Sequence, residues 1–271
     1  MGALHKFQTR TEKAEKSRLP PKKEMNPIPL EFYQRQDVVA LAQELLGKWL
    51  FTQLDGEELT GGMIIETEAY AGPKDRASHA FNMRRTKRTE VMFHEGGVAY
   101  VYLCYGMHTL FNVVTNKAEI PHAILVRALL PTHGISTMEK RRIPKMIQES
   151  EFQHSRRPKF EEAKPTSKQR LCIHRSDAEG CKVRDVGAAE NRFLNHFRYK
   201  KRAPLTSGPG TVCQALGIKV NHSGHFLQKK PLWIEDRGMT PSTSQIIAGP
   251  RIGIEYAQED ALLPWRFQLI A

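Results

Sequence analysis

The segment IIETEAYAGPKDRASH, residues 64–79, begins as a strand and is stopped by Gly72-Pro73. With strict alternation, Ile64, Glu66 and Glu68 share one face of that strand, and Ile65, Thr67 and Ala69 share the other. Two carboxylates then emerge on one side near the strand end. The companion segment GVAYVYLCYGMHTLFN, residues 97–112, is apolar and aromatic. Its first half, 98–103, alternates as a strand with Tyr100 and Tyr102 on one face. Tyr105-Gly106 makes a turn and 109–115 returns, which gives a β-hairpin with Tyr105 and Met107 at its tip. A large aromatic side chain at such a tip gains nothing from water and needs a partner.

Working outward, Phe32 and Tyr33 are candidate core anchors. Asp37 caps a helix whose Val38, Leu41, Ala42 and Leu45 fall at helical spacing, with Gly47 as its stop. Residues 49–54 read as a strand, Asp55-Gly56 as a hairpin turn, and 59–68 as the returning strand. A short helix fits 77–81. Residues 123–130 form a strongly apolar strand interrupted by Arg127, whose guanidinium needs a carboxylate or phosphate partner, with Glu68 or Glu66 the obvious candidate. Ser207-Gly208-Pro209-Gly210 opens a helix over 211–216, and free N–H groups there suit a phosphate, although the Lys-Ser/Thr ending of a Walker loop is absent. Residues 232–234, 253–256 and 266–270 read as short strands. Hairpins and strands outnumber long helices, so the fold class is α+β with antiparallel pairing.

The chain of 271 residues carries a formal charge of +12, which points to a polyanionic partner. Its length allows a sizeable core without disulfides or metals. Residues 1–25 mix charge with few large apolar side chains and read as a flexible basic arm; 26–271 reads as one domain. Within it, 139–202 holds 18 Lys or Arg and 9 Asp or Glu with weak apolar periodicity, and reads as a charged insertion. Cys104 and Cys213 read as buried free thiols, and Cys172-Ile-His174 with Cys181 is too sparse for a zinc site. No apolar run is long enough to span a membrane, and the N-terminus lacks a secretory pattern.

Carboxylates, flat rings and dense positive charge fit an enzyme that works on one base of a duplex and must first take it out of the stack. Tyr105 is the candidate wedge, with Met107 beside it. Tyr70, His79 and Tyr102 can sandwich an extruded base. Glu68 can take a proton from a water, with Arg127 holding that water and keeping Glu68 ionised. Arg84, Arg85, Lys87 and Arg88, together with Ser207 and Gly208, can hold phosphates.

The ordered blocks Glu66-Thr67-Glu68-Ala69-Tyr70 with His79, and Tyr100-Val101-Tyr102 with Tyr105-Gly106-Met107 and Asn112, resemble the alkyladenine (3-methyladenine, methylpurine) DNA glycosylase family. Supporting matches are Leu125-Val126-Arg127-Ala128-Leu129, Ser207-Gly208-Pro209 with Gln214-Ala215-Leu216-Gly217, and Gly249-Pro250-Arg251-Ile252-Gly253. The similarity runs from about Pro29 to the C-terminus. It implies a single mixed domain around a curved, mainly antiparallel sheet with a protruding hairpin. It further implies Glu68 as general base, Arg127 and the Ile252 backbone as water-placing groups, and Tyr70, His79 and Tyr102 as the base pocket. Tyr105 would fill the gap left in the duplex from the minor groove, and Asn112 would crowd the guanine amine. Such enzymes release alkylated or deaminated purines and leave an abasic site without metal or organic cofactor. The implied partner is double-stranded DNA bearing damaged purines, met by a monomer in the nucleoid of a bacterium or the nucleus of a eukaryote. Two features depart from the family: the insertion at 139–202 is longer than usual, and His108 follows Met107.

Three other readings compete. A non-catalytic binder would use the same charge and hairpin, but gains nothing from a carboxylate beside phosphates. A lyase needs a desolvated amine, and Lys74 and Lys87 sit in a polar loop. A metal nuclease needs a denser Asp/His cluster than these glutamates provide.

Overall fold

A computed structural model describes residues 25–143 and 205–270. The arm at 1–25 therefore lies outside the described residues except for Met25, and the charged insertion does so beyond Ile143, as do Cys172, His174 and Cys181.

The chain enters through two short helices, α1 (Leu30–Tyr33) and α2 (Val38–Glu44). Asp37 caps α2 as its sequence suggests: the carboxylate accepts the Val39 and Ala40 N–H groups at 3.1 and 2.9 Å. Gly47 ends the turn beyond α2 at φ +82°, where a side chain would be strained and would meet Met239. The strands β1 (Trp49–Thr52), β2 (Thr60–Tyr70), β3 (Ala99–Cys104), β4 (His108–Thr115) and β5 (His122–His133) follow. Then come α3 (Ile135–Arg142) and α4 (Pro209–Leu216), and the strands β6 (Gln228–Lys229), β7 (Leu232–Glu235), β8 (Ile246–Gly249) and β9 (Arg266–Leu269).

All described strand pairs are antiparallel. The sheet runs β3-β4-β5-β2-β1-β7-β6, with β9 joined to β2 and to β8. The fold is therefore α+β around one mainly antiparallel sheet. β2 is its longest shared element. One edge pairs with β5 throughout, while the other pairs with β1 over Thr60–Met63 and then with β9 over Glu66–Glu68. The glutamate-bearing end of β2 thus has a strand on each side. The main core lies between the sheet and helices α2 and α4, with Leu41, Leu45, Ile64, Phe111, Val126, Val212 and Leu216 all buried. Tyr33 is fully buried, and Phe32 packs at the edge of the same core.

One expectation about β2 is corrected. Ile64 does not share a face with Glu66. Ile65 is an extra residue in β2 between Ile64, opposite Leu129, and Glu66, opposite Ala128. One step on, Arg127 is the extra residue in β5, between Ala128 and Val126. Two back-to-back bulges cancel in register but reset the alternation of both strands. Ile64 and Ala69 consequently face the same core, Thr67 donates its hydroxyl to Ala42 O at 2.7 Å, and Ile65 packs in a separate cluster with Met63. The glutamates and Arg127 are left on the other side. No alternation rule reveals the bulge at Ile65, because that residue looks like any other apolar strand residue.

Smaller differences have local causes. Residues 253–256 are not a strand: Gly253 has φ +75°, and a 3-10 segment begins at Glu255. β8 appears where no strand is expected, paired to β9. Cys213 is buried, but Cys104, next to the hairpin turn, is partly exposed. His108 is accommodated because Gly210 has no Cβ, whose position would lie 3.3 Å from the histidine side chain. Among the described residues no helix is long and apolar enough to cross a membrane.

Candidate active site

The bulges bring Glu66, Glu68 and Arg127 together. Arg127 donates to Glu66 Oε1 through Nε at 3.2 Å and pairs with Glu68 Oε1 through Nη1 at 3.1 Å. Both glutamates thus answer the need for a partner to this lone strand arginine. Glu66 also accepts Arg266 Nε at 2.6 Å. It is held between two arginines and acts as a bracket for Arg127.

Glu68 is fully buried. Its Oε1 accepts the Ile252 N–H at 2.9 Å in addition to Arg127, and its Oε2 accepts the Tyr70 hydroxyl at 2.9 Å. A carboxylate has about four acceptor sites; among the described residues two accept hydrogen bonds, one on each oxygen, Arg127 pairs with Oε1, and Oε2 keeps capacity for another donor. Burying this charge without such donors would be prohibitive. The Tyr70 phenol is pushed well above its ordinary range, first by burial and then by the Glu68 charge, so it stays protonated and donates.

Tyr70, Arg127 and Ile252 also line a cavity of about 460 Å³ with His79, Arg88, Tyr100, Tyr102, Tyr105, Asn112 and Tyr256. Glu68 is not itself in the lining; it stands directly behind three residues that are. Tyr100 and Tyr102 stack with centroids 5.3 Å apart, consistent with their shared strand face, and His79 meets the Tyr102 ring edge-on at 4.7 Å. Asn112 is buried opposite Tyr100 and donates its amide to the Tyr100 carbonyl at 3.1 Å. His79 is pushed down to about 4, first by burial and then by Arg88 and Arg84. The imidazole in this wall is thus neutral at pH 7, although the guanidinium groups of Arg88 and Arg127 line the same cavity.

β3 and β4 meet across Tyr105, Gly106 and Met107. Tyr105 is 86% exposed and Met107 74%. Tyr105 has φ 49° and is not folded back on its own strands.

The basic groups expected to face phosphates divide into different environments. Arg84 and Lys87 are exposed and have no ion pair among the described residues. Arg85 is engaged by Glu90 and Glu119 at 2.8 and 2.6 Å and lies over the Phe93 ring, so it braces the loop. Arg88 turns into the cavity. The Gly208 N–H is not free: it donates to Thr211 Oγ1 at 2.9 Å, and Pro209 has no N–H to offer. The helix also begins earlier than expected, at Pro209. Ser207 lies just before this cap.

Two important groups escaped the sequence reading. Asp75 and Arg251 form a fully buried two-pronged ion pair at 2.5 and 2.9 Å. Arg251 also donates to Ala69 O at 2.9 Å and covers the Tyr70 ring at 4.8 Å. Asp75 further accepts the Ala71 and Ala77 N–H groups. This pair ties the end of β2 to the loop whose Ile252 N–H reaches Glu68. Arg251 lies within a quoted motif but no role was read from it; Asp75 sits in a polar turn, and nothing local signals a partner 176 positions away. Tyr256 is the second, 66% exposed at the cavity with its hydroxyl on Ala77 O. The strand expected over 253–256 gives it no such place, because the backbone there is 3-10 from Glu255. Among the described residues, no three His, Cys, Asp or Glu side chains gather as metal ligands would.

With this geometry in place, comparison with known proteins is informative. The family model described as Methylpurine-DNA glycosylase (MPG) matches residues 31–270. A protein of Chlamydia abortus named "Putative 3-methyladenine DNA glycosylase" is 39% identical over 242 residues, covering 89% of this chain and 97% of that protein. Proteins of the same name from Bacillus mycoides and Bacillus subtilis are 38% and 36% identical, covering 88% and 90% of this chain and 94% of each relative.

Two predictions follow from the geometry. Asp75→Ala strands a buried guanidinium and should lower stability by about 3–5 kcal/mol. The double change Asp75→Leu with Arg251→Met should recover most of that loss in urea denaturation, and a single-variant loss under about 0.5 kcal/mol would contradict the strut. Unfolded His79 takes up a proton near pH 6.5, but the folded chain does so only near 4. The unfolded state binds more protons between those values, so this group's contribution to stability falls as pH drops from 6.5 towards 4. NMR titration should show a neutral His79 ring at pH 6; a midpoint near 6.5 would contradict it.

Proposed function

The chain belongs to the methylpurine-DNA glycosylase family, and from that premise we propose that it flips damaged purines out of duplex DNA and hydrolyses the N-glycosidic bond with a Glu68-activated water. The chain is a DNA-3-methyladenine glycosylase, a DNA-repair hydrolase acting on N-glycosyl bonds. One observation carries the finer reading. A buried carboxylate held by Tyr70, Arg127 and the Ile252 N–H stands against a ring-lined cavity of about 460 Å³.

In this mechanism the extruded base enters between Tyr70 on one side and the His79–Tyr102 pair on the other. The open capacity on Glu68 Oε2 accepts a hydrogen bond from water. The water oxygen attacks C1′ as Glu68 takes its proton, the C1′–N bond breaks, and its electron pair leaves with the purine. The products are free base and an abasic sugar bearing a hydroxyl at C1′. Arg127 stands in an ion pair with Glu68 at 3.1 Å. A base alkylated at N3 or N7 is already cationic, which weakens the bond to the sugar and favours stacking on electron-rich rings. The depressed basicity of His79 matters here, because an imidazolium would repel that cation. Neutral lesions require a proton on the departing base, and His79 is a poor donor near neutral pH for the same reason.

Tyr105, with Met107 beside it, fills the space left in the duplex: it is an exposed aromatic at a hairpin turn on the cavity rim. Asn112 crowds the guanine amine from the cavity wall. Arg84 and Lys87 contact the backbone, and binding weakens steeply with salt. The protein acts as a monomer in the compartment that holds the DNA. Residues 26–271 act as one glycosylase domain, with 1–25 as a basic arm.

Glu68→Gln is the direct test. On a duplex containing hypoxanthine or an alkylated purine, single-turnover base release should fall by at least about 100-fold, the scale of a lost general base. Binding to the same duplex should change less than about threefold, since Glu68 faces no phosphate. Release at the parental rate would remove Glu68 from the mechanism and return the non-catalytic role to consideration for this residue.

A further inference from the structure

Arg88 is in an unusual place for a residue on an exposed basic loop. Its guanidinium lies 4.8 Å from the Tyr102 ring centre, on the cavity side, while Tyr100 stacks on that ring. One guanidinium nitrogen, Nη2, approaches both His79 ring nitrogens at 2.7 and 3.1 Å, and Nε reaches Tyr100 O–H at 3.5 Å. Two groups of the proposed base cage, His79 and Tyr102, and the adjoining Tyr100 are therefore engaged by one side chain. A guanidinium is flat, delocalised, cationic and weakly hydrated, so it stacks on aromatic rings. A purine alkylated at N3 or N7 shares the first three properties. Arg88 is also exposed, one position from Lys87 and four from Arg84, on the loop expected to meet the phosphate backbone.

We propose that Arg88 occupies the base cage of the free enzyme and must leave it for a base to enter, so that the cage distinguishes a base carried by DNA from a free one. This rests on the reading of the cavity as a base cage. When a DNA strand delivers the base, a neighbouring phosphate takes the displaced guanidinium and offsets the contacts it loses in the cage. A free purine brings no phosphate, so it meets the full displacement. After the glycosidic bond breaks, return of Arg88 to the rings expels the released base. Arg88 is thus a specificity-determining residue that limits inhibition by free bases and by product. It takes no part in the bond-breaking step.

The experiment measures inhibition of lesion-duplex turnover by free hypoxanthine and by free 3-methyladenine, alongside duplex affinity, for the parental protein, Arg88→Ala and Arg88→Lys. Removing a cation–aromatic contact should lower the inhibition constant of the free bases by about 3- to 30-fold in both variants. Arg88→Ala should also bind duplex more weakly. Arg88→Lys, which keeps a charge for phosphate but lacks the flat group, should retain most of the duplex affinity. Free-base inhibition constants unchanged in both variants, with duplex binding weakened, would reduce Arg88 to a phosphate contact and overturn the proposal. Weaker inhibition in the variants would mean that Arg88 holds the base instead of competing with it, and would overturn it too. Absence of free-base inhibition in all three proteins, together with normal base release by Tyr102→Ala, would remove the cage reading on which the proposal stands.

Discussion

Glu68 is a fully buried carboxylate, and the rest of the site is arranged to give it polar partners where it is. Its three donors come from three places in the chain: Tyr70 two residues along the same strand, Arg127 from the neighbouring strand, and the Ile252 N–H from a loop 184 positions away. Losing any one would leave charge in a dry environment with too few partners. All three residues also line the cavity. The requirement that stabilises the buried charge therefore also aligns the wall against which a base would lie.

Two devices make that convergence possible. The paired bulges at Ile65 and Arg127 turn the arginine towards the glutamates while leaving the hydrophobic faces of β2 and β5 on the core. The Asp75–Arg251 pair then fixes the Ile252 loop relative to the end of β2 and stacks Arg251 between Tyr70 and Trp265. These features shape the site before any nucleic acid arrives, as preorganised catalysis requires.

Much of this is legible in the sequence because local chemistry specifies it. The Asp37 cap, the β1–β2 hairpin, the turn at Tyr105 and the stacked faces of Tyr100 and Tyr102 each follow from residue type and short spacing. So does the demand of Arg127 for a carboxylate or phosphate partner. What escaped depends on distant partners. The bulge at Ile65 is visible only once β5 is beside β2. Asp75 is an ordinary turn residue until Arg251 meets it. Gly208 reads as an anion site until Thr211 takes its N–H, and Arg88 reads as one more phosphate contact until the rings draw it inward. Arg85 reads the same way until Glu90 and Glu119 claim it. The resemblance between motifs brought Ile252 to notice, but the hydrogen bond of its N–H to Glu68 is a fact of three dimensions.

The central claim is that Glu68 activates a water beside a base lodged in the ring-lined cavity. It is tested most directly by a crystal structure of the Glu68→Gln protein bound to a duplex with an intact, uncleaved lesion. The account predicts the damaged purine between Tyr70 and the His79–Tyr102 pair, Tyr105 in the duplex gap, and an ordered water within hydrogen-bond reach of both residue 68 and C1′ of the extruded sugar. A lesion base still stacked in the duplex, or seated in the cavity with Tyr70 or another side chain excluding water from residue 68, would contradict it.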